Sequence, residues 1–349
     1  MSPGISVVVC CYNSVSRLEP TLRHLKAQAT PADLAWELIL VDNASTDNTA
    51  DYARQFWSGD APAPIQILRE NRPGISFARQ TGVLASNYSL IAFVDDDNWL
   101  APDWIANACA IMQAHPEAAL CNGIAEAAFE GVRPAWFSSF AGNYAVSEPG
   151  WPVGDVTNTL PVPFGAGLCV RRAALDRLHA EGFQHLLSGR TTALSMAGED
   201  TELCIALRMA GWRWRREPSL RMHHWMPNVR MTWDYCLKLA FGGGASSVCL
   251  SLYEMLEEPA PTHWRDRLRQ TWPVAYYFTI LSILPKWKIY IQCLLNKGAE
   301  GDPEVFAMQS LRGRLFLLRK LRGQRDSSLA AIRQAEWYRK RPLDKDPKP

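Results

Sequence analysis

The chain offers no disulfide framework. Its nine cysteines are odd in number, include no CxxC pair, and set Cys10 beside Cys11 in an apolar run where neighbours face opposite ways. Reduced, mostly buried thiols and a cytosolic compartment are the expectation. A basic region followed by an apolar stretch and a cleavage site is also missing. Met1–Gly4 leads straight into strand-like sequence, so secretion is not expected. No apolar run is unbroken over the length of a bilayer: Trp272–Leu295 is rich in Ile, Leu, Trp and Tyr but is interrupted by Pro285, Lys286 and Lys288. Gly242-Gly243-Gly244 has no Lys-Ser/Thr behind it, which excludes a phosphate loop and leaves close helix packing or a flexible turn. There is no internal repeat. Neither sign of charge dominates the whole, at a net +2, but the sum hides an asymmetry. Residues 1–261 hold 19 Lys/Arg against 27 Asp/Glu, and residues 262–349 hold 18 against 8. A basic C-terminal region fits an anionic partner such as a membrane surface, or equally a solvated tail. No nucleic-acid motif accompanies the charge, so nucleic acid is not an expected partner.

What is present is a core-forming chain of 349 residues, 48% hydrophobic, long enough for one main domain with an appendage. Short apolar, β-branched runs alternate with helical patterns. Strands are predicted at Ile5–Cys11, Glu37–Val41, Ile65–Leu68 and Leu90–Val94, with helices over Leu22–Gln28 and its flanks, Thr49–Trp57 and Ser76–Ala85 between them. This is the α/β pattern of a parallel sheet with helices on both faces, whose ligand sits beyond the carboxyl ends of the strands. Three of those ends carry polar clusters: Tyr12-Asn13-Ser14, Asp42-Asn43-Ala44-Ser45 and Asp95-Asp96-Asp97-Asn98. Phe129–Pro163 loses periodicity and gathers Pro, Gly, Trp and Ser, the composition of a long irregular segment. Beyond it, Gly165–Arg172 reads as a strand entering a helix, Asp200–Ala210 as a helix, and residues 262–349 as basic, aromatic helical stretches ending in a polar tail.

The acidic run at Asp95–Asp97 concentrates the chemistry. Adjacent carboxylates repel and are tolerated where a cation or hydrogen-bond donors compensate them. Mg²⁺ or Mn²⁺ bridging carboxylates to substrate phosphates is one reading, and a turn with Asp side chains capping backbone groups is the other.

The ordered set Val7–Asn13, Val41–Asp47, Asn71-Arg72-Pro73-Gly74 with Ala78–Gly82, Asp95–Asn98 and Gly198-Glu199-Asp200 resembles glycosyltransferase family 2, enzymes of the GT-A fold, over roughly residues 5–226. The resemblance implies a Rossmann-like, mostly parallel sheet in a catalytic domain over 1–261, with its nucleotide-binding half to about residue 125 and an acceptor half from 126. It implies that Tyr12, Asn13, Asp42 and Asn43 form the base pocket, with uracil, thymine and guanine all open because Asn43 stands where the family often has Asp. It further implies a DXD-type site in which Asp97, with Asp95, holds Mn²⁺ or Mg²⁺ and Asp96 lies near the ribose. Arg79 would bind the donor sugar or diphosphate. Asp200, with Glu199 beside it, would be the general base of an inverting displacement, although an Asp at a helix start is also an ordinary cap. His223 and His224 would bring an imidazole to the metal, either one facing inward. Trp136 and Trp151 are candidates for the acceptor loop.

The implied partners are a nucleoside-diphosphate sugar and a glycan or lipid-linked acceptor in cell-surface or exopolysaccharide synthesis. The tail would supply peripheral contact with the inner face of the plasma membrane, or a homodimer interface. A catalytically silent nucleotide-sugar binder or a membrane-associated scaffold is the alternative, and Asp97 together with Asp200 argues for the enzyme. A nucleotidyltransferase would place a Gly-rich basic loop after the first strand, where this chain has Cys11-Tyr12-Asn13-Ser14.

Overall fold

The structure, a computed structural model, describes residues 2–159, 162–187, 198–257, 263, 268, 270–295 and 298–340. The 261/262 boundary expected from the charge pattern and the last residues of the tail lie outside these. The described chain forms two compact units, the first comprising residues 1–130, 144–180 and 211–226, the second 131–143, 181–210 and 227–349. Residues 227–257 thus group with the C-terminal helices.

The first unit is built on a nine-stranded sheet in the order β3-β2-β1-β4-β8-β6-β9-β5, with β7 also on β9. The strands are β1 (Ser2–Cys11), β2 (Trp36–Asn43), β3 (Ile65–Glu70), β4 (Tyr88–Asp95), β5 (Asn98–Leu100), β6 (Ala118–Phe129), β7 (Gly154–Asp155), β8 (Leu168–Arg171) and β9 (Arg213–Met226). Every residue of β2 is buried, the mark of a strand covered on both faces. On one face Val7, Val9, Leu38 and Leu40 pack with Leu18, Leu22 and Leu25 of α1 (Leu18–Lys26), Trp57 of α2 (Thr49–Trp57) and Trp104 of α4 (Trp104–Ala114). On the other, α3 (Ile75–Ala85) lies so close to β1 that a Cβ on Gly82 would come within 2.3 Å of the Val8 side chain.

The sheet is mixed rather than uniformly parallel. β3, β2, β1 and β4 are parallel, as the helix-by-helix alternation predicts, but β8 enters antiparallel between β4 and β6, and β5 is antiparallel to β9. The reason is the connection. After β4 the chain no longer runs through a single crossover helix to a neighbouring strand, so the parallel constraint lapses. α5 (Arg172–Ala180) follows β8 directly.

The second unit is helical. It contains α6 (Glu199–Met209), α7 (Trp233–Glu257), α8 (Trp272–Ile283), α9 (Trp287–Leu294), α10 (Pro303–Lys320), α11 (Gln324–Gln334) and α12 (Glu336–Arg339). α7 and α10 cross at glycines. A Cβ on Gly244 would fall 1.9 Å from the Ser310 carbonyl oxygen, and one on Gly313 1.9 Å from that of Phe241. Within the glycine triplet it is Gly244 that serves close helix packing. α7 is long and apolar enough to cross a membrane by length and composition, yet 56% of that stretch is buried within the fold, as in a core helix.

Candidate active site

The register of the sheet brings the polar strand ends together. Cys11 lies opposite Asp42 across β1 and β2, and Cys10 opposite Asp95 across β1 and β4. The loops leaving β1 and β2 turn through left-handed backbone at Asn13 (φ 49°) and Ala44 (φ 57°), conformations that non-glycine residues adopt at a cost and that tertiary contacts must hold. Those contacts are visible. The Asn13 side-chain oxygen accepts from the Thr46 N–H at 2.8 Å, the Asn13 N–H donates to Ser45 Oγ at 3.0 Å, and the Ser14 N–H donates to Thr49 Oγ1 at 2.8 Å. Tyr12 projects from the same loop and is exposed.

Asp42 and Asn43, both buried, are committed to the framework of this edge. Asp42 accepts from the Ser45 N–H and from Arg69. Asn43 donates to the carbonyls of Glu70 and Arg72 and accepts from the Gly74 N–H at 2.8 Å. Gly74, at φ 134° and ψ 134°, has a backbone that favours glycine, and it launches α3. One turn along, Arg79 is carried back over the sheet edge. Its guanidinium lies 3.6 Å from Asp95 Oδ1 and 5.4 Å from the centre of the Phe93 ring.

The three aspartates diverge. The Asn98 side-chain oxygen accepts from the Asp95 N–H at 3.0 Å, and its amide donates to Asp97 Oδ1 at 3.2 Å, so Asn98, fully buried, braces the turn. Asp96 is buried and accepts from Arg17 at 2.7 Å and from the Ser14 hydroxyl. Burial, reinforced by the neighbouring Asp97 charge, pushes the Asp96 carboxyl up, while Arg17 and Ser14 oppose the rise. Asp97 is also buried, and His224 Nε2 lies 3.4 Å from its Oδ1.

The β5–β9 register explains which histidine turns inward. Asn98 pairs with His224 and Trp99 with His223, and successive residues of a strand face opposite ways. His223 is largely exposed and approaches Glu126 at 3.9 Å instead. Among the described residues no group of three or more His, Cys, Asp or Glu side chains is preassembled to hold a metal ion. The donor set nevertheless fits one. Asp97 offers carboxylate oxygen, His224 imidazole nitrogen, and the crowded Asp96–Asp97 charges are the kind a divalent cation relieves.

Glu199 and Asp200 belong to the second unit, at the start of α6. Asp200, half-buried, accepts from the Thr201 N–H at 2.7 Å, and Glu199, buried, accepts from the Gly198 N–H at 3.1 Å. Behind them Glu202 is buried and accepts from the Tyr253 hydroxyl at 2.6 Å and from the N–H groups of Leu186 and Leu187. Trp136 packs with Phe140 and Trp233 and donates to Glu300 in the second unit. Trp151 lies against Phe164 and Arg216 in the first. The structure thus places the two tryptophans in different units.

Arg17 escaped the sequence reading. It wraps the β1 loop through the Tyr12 and Asn13 carbonyls and pairs with Asp96. Its only signal was an arginine four residues beyond Asn13, just ahead of a helix. Glu70, which holds Arg72 and Thr81, was missed for the same lack of a signature.

Comparison with known proteins agrees with this architecture. The family profile described as "Glycosyl transferase family 2" matches residues 6–169, and that described as "Glycosyl transferase family group 2" matches residues 90–295, more than half the chain. The chain is similar to the succinoglycan biosynthesis protein ExoM of Rhizobium meliloti (strain 1021), 27% identical over 277 residues that cover 78% of this chain and 79% of ExoM. It is also 27% identical to EpsH of Bacillus subtilis (strain 168) over 143 residues, 41% of this chain but only 40% of EpsH. Among solved structures it resembles the mannosyltransferase PcManGT from Pyrobaculum calidifontis, in complex with GDP-Man and Mn²⁺, with a TM-score of 0.56 at 18% identity, covering 92% of this chain and 87% of that one. That likeness shows a shared GT-A-like fold. The chain belongs to glycosyltransferase family 2, a family of sugar-transferring enzymes.

Proposed function

We propose that this chain is an inverting glycosyltransferase of polysaccharide biosynthesis that moves a sugar from a nucleoside-diphosphate donor to a hydroxyl of a glycan or lipid-linked acceptor. The observation that carries the reading is the pairing of Asp97 with His224 at the same sheet edge where Arg79 stands beside Asp95. A cationic guanidinium next to a hard-cation donor set is the chemistry a diphosphate requires.

In this reading Tyr12 and the loops at Asn13 and Asp42–Ser45 receive the nucleotide, and Arg79 takes a diphosphate oxygen. Asp96 keeps the β1 and β4 loops joined through Arg17 and Ser14 while it borders the ribose. Asp97 and His224 would hold Mn²⁺ or Mg²⁺, whose charge would offset that developing on a leaving diphosphate. Asp200 takes the proton of the acceptor hydroxyl as that oxygen attacks the anomeric carbon from the face opposite the diphosphate. A single displacement inverts the anomeric configuration and requires no covalent enzyme nucleophile. A reducing, cytoplasmic setting is part of the proposal, supported by nine cysteines of which none forms a disulfide.

The test is thermal stabilisation of the purified protein by UDP-, dTDP- and GDP-sugars with Mn²⁺ or Mg²⁺. One nucleotide class stabilises wild type only with metal, and Asp97→Ala loses that response. Equal stabilisation of Asp97→Ala would remove the metal-and-donor assignment.

A further inference from the structure

The segment Trp272–Leu295 folds as α8, a short 3₁₀ turn at Leu284–Lys286, and α9, and it is apolar on both sides. Its inner side is accounted for: Ile283 and Cys293 are buried, with Tyr276, Ile280, Ile289 and Tyr290 packed on the same cluster as Val305 and Met308 of α10. Its outer side is not. Phe278, Leu281, Leu284, Trp287, Ile291 and Leu294 recur at helical spacing and are 43–61% exposed. A helix that is hydrophobic all round is ordinarily covered all round, and contiguous exposed apolar surface of this kind marks an interaction face.

The charge around the stripe identifies what covers it. From Trp272 to Leu295 there is no Asp or Glu, and the two charged residues are Lys286 and Lys288. Lys288 is exposed beside the Trp287 ring. Along the first turns of α8, Arg319 lies 5.9 Å from the centre of the Tyr276 ring and Arg322 5.5 Å from that of Trp272. The nearby carboxylates are engaged, Glu304 with Lys286 and Asp326 with the Trp272 N–H. An apolar and aromatic stripe with cations at its central turn and beside its first aromatics matches the boundary of an anionic bilayer, where apolar side chains enter the acyl region, Trp and Tyr sit at its edge and Lys/Arg meet the headgroups. A two-fold contact of the stripe with a second copy would bring Lys288 into the interface with no acid on the stripe to pair it.

We infer that the outer side of α8 and α9 is a membrane-docking surface for anionic phospholipid. The inference goes beyond sugar transfer: it is read by vesicle binding alone, whatever the donor or acceptor.

The experiment is flotation of the full chain with vesicles of phosphatidylcholine alone and with added phosphatidylglycerol. Wild type floats with the anionic vesicles and releases at high salt. Leu281→Glu and Trp287→Glu, both at exposed positions, each lower the bound partition by about tenfold, and Lys288→Gln lowers it by a smaller factor. Unchanged circular dichroism and melting temperature show that each variant is folded. Flotation of the folded Glu variants at the wild-type level, or no flotation of wild type, overturns the inference. So does a concentration-dependent dimer that Leu281→Glu dissociates in a protein that ignores vesicles.

Discussion

Two histidines adjacent in sequence differ in what they face. His224 is buried against Asp97, and the exposed His223 reaches toward the half-buried Glu126. The account therefore predicts that His224→Ala raises the apparent metal requirement for donor turnover and lowers kcat/KM by about a hundredfold, while His223→Ala stays within about threefold of wild type. Metal titrations of steady-state turnover check both. The sequence offered both histidines but left their facing undetermined, because facing depends on the register with β5, and β5 is only three residues long. A second residue-scale prediction concerns Glu70. Its bidentate contact with Arg72, with the Thr81 hydroxyl, holds its carboxyl down at about 2. A depressed folded pKa stabilises the fold above the unfolded value and is lost as pH falls through the folded one, so the contribution is complete above about pH 4.5 and gone near pH 2. Because Arg72 is largely exposed, screening limits the term to about 1 kcal/mol. Acid unfolding of Glu70→Gln should lack this component, and a wild-type-like pH dependence of stability between pH 5 and pH 2 would contradict the assignment.

At the scale of elements, glycines decide how closely the pieces approach. Gly244 and Gly243 are neighbours in α7, yet a Cβ on Gly244 meets the α10 backbone while one on Gly243 meets nothing within 4 Å. Gly243→Ala should stabilise by about 0.5–1 kcal/mol through helix propensity. Gly244→Ala, with the same propensity gain, should destabilise by about 1–3 kcal/mol because the helices must separate. Chemical denaturation of the pair reads both signs. The four parallel strands were legible because each carries a short apolar run, and β1, β2 and β3 are each followed by a helix pattern. β6 was not read, and β8, although expected as a strand within Gly165–Arg172, has partners 48 to 81 residues away in sequence, so no local period encodes its antiparallel entry. Helix α1, Leu18–Lys26, takes in the N-terminal flank of the expected Leu22–Gln28 run; it has no capping side chain, and Arg17 just ahead of it grips the β1 loop.

For the whole molecule, the ordering of motifs along the chain mattered more than any one motif. Parallel strands bring Cys11, Asp42 and Asp95 to one edge, so residues dozens of positions apart converge where the resemblance implied a donor site. The sequence could not show how thoroughly the framework would claim some of these groups: Asn43 is spent on three backbone partners and Asp96 on Arg17 and Ser14, contacts fixed only when the loops close. The charge asymmetry likewise became specific only when the apolar stripe of α8 and α9 proved uncovered on one side. The central claim is sugar transfer with Asp200 as base. It is tested most directly by measuring donor binding and nucleoside-diphosphate release side by side for wild type and Asp200→Asn, with metal and acceptor present. The account predicts unchanged donor binding and turnover lower by about 10²–10⁴-fold. Turnover of Asp200→Asn at the wild-type rate would contradict it.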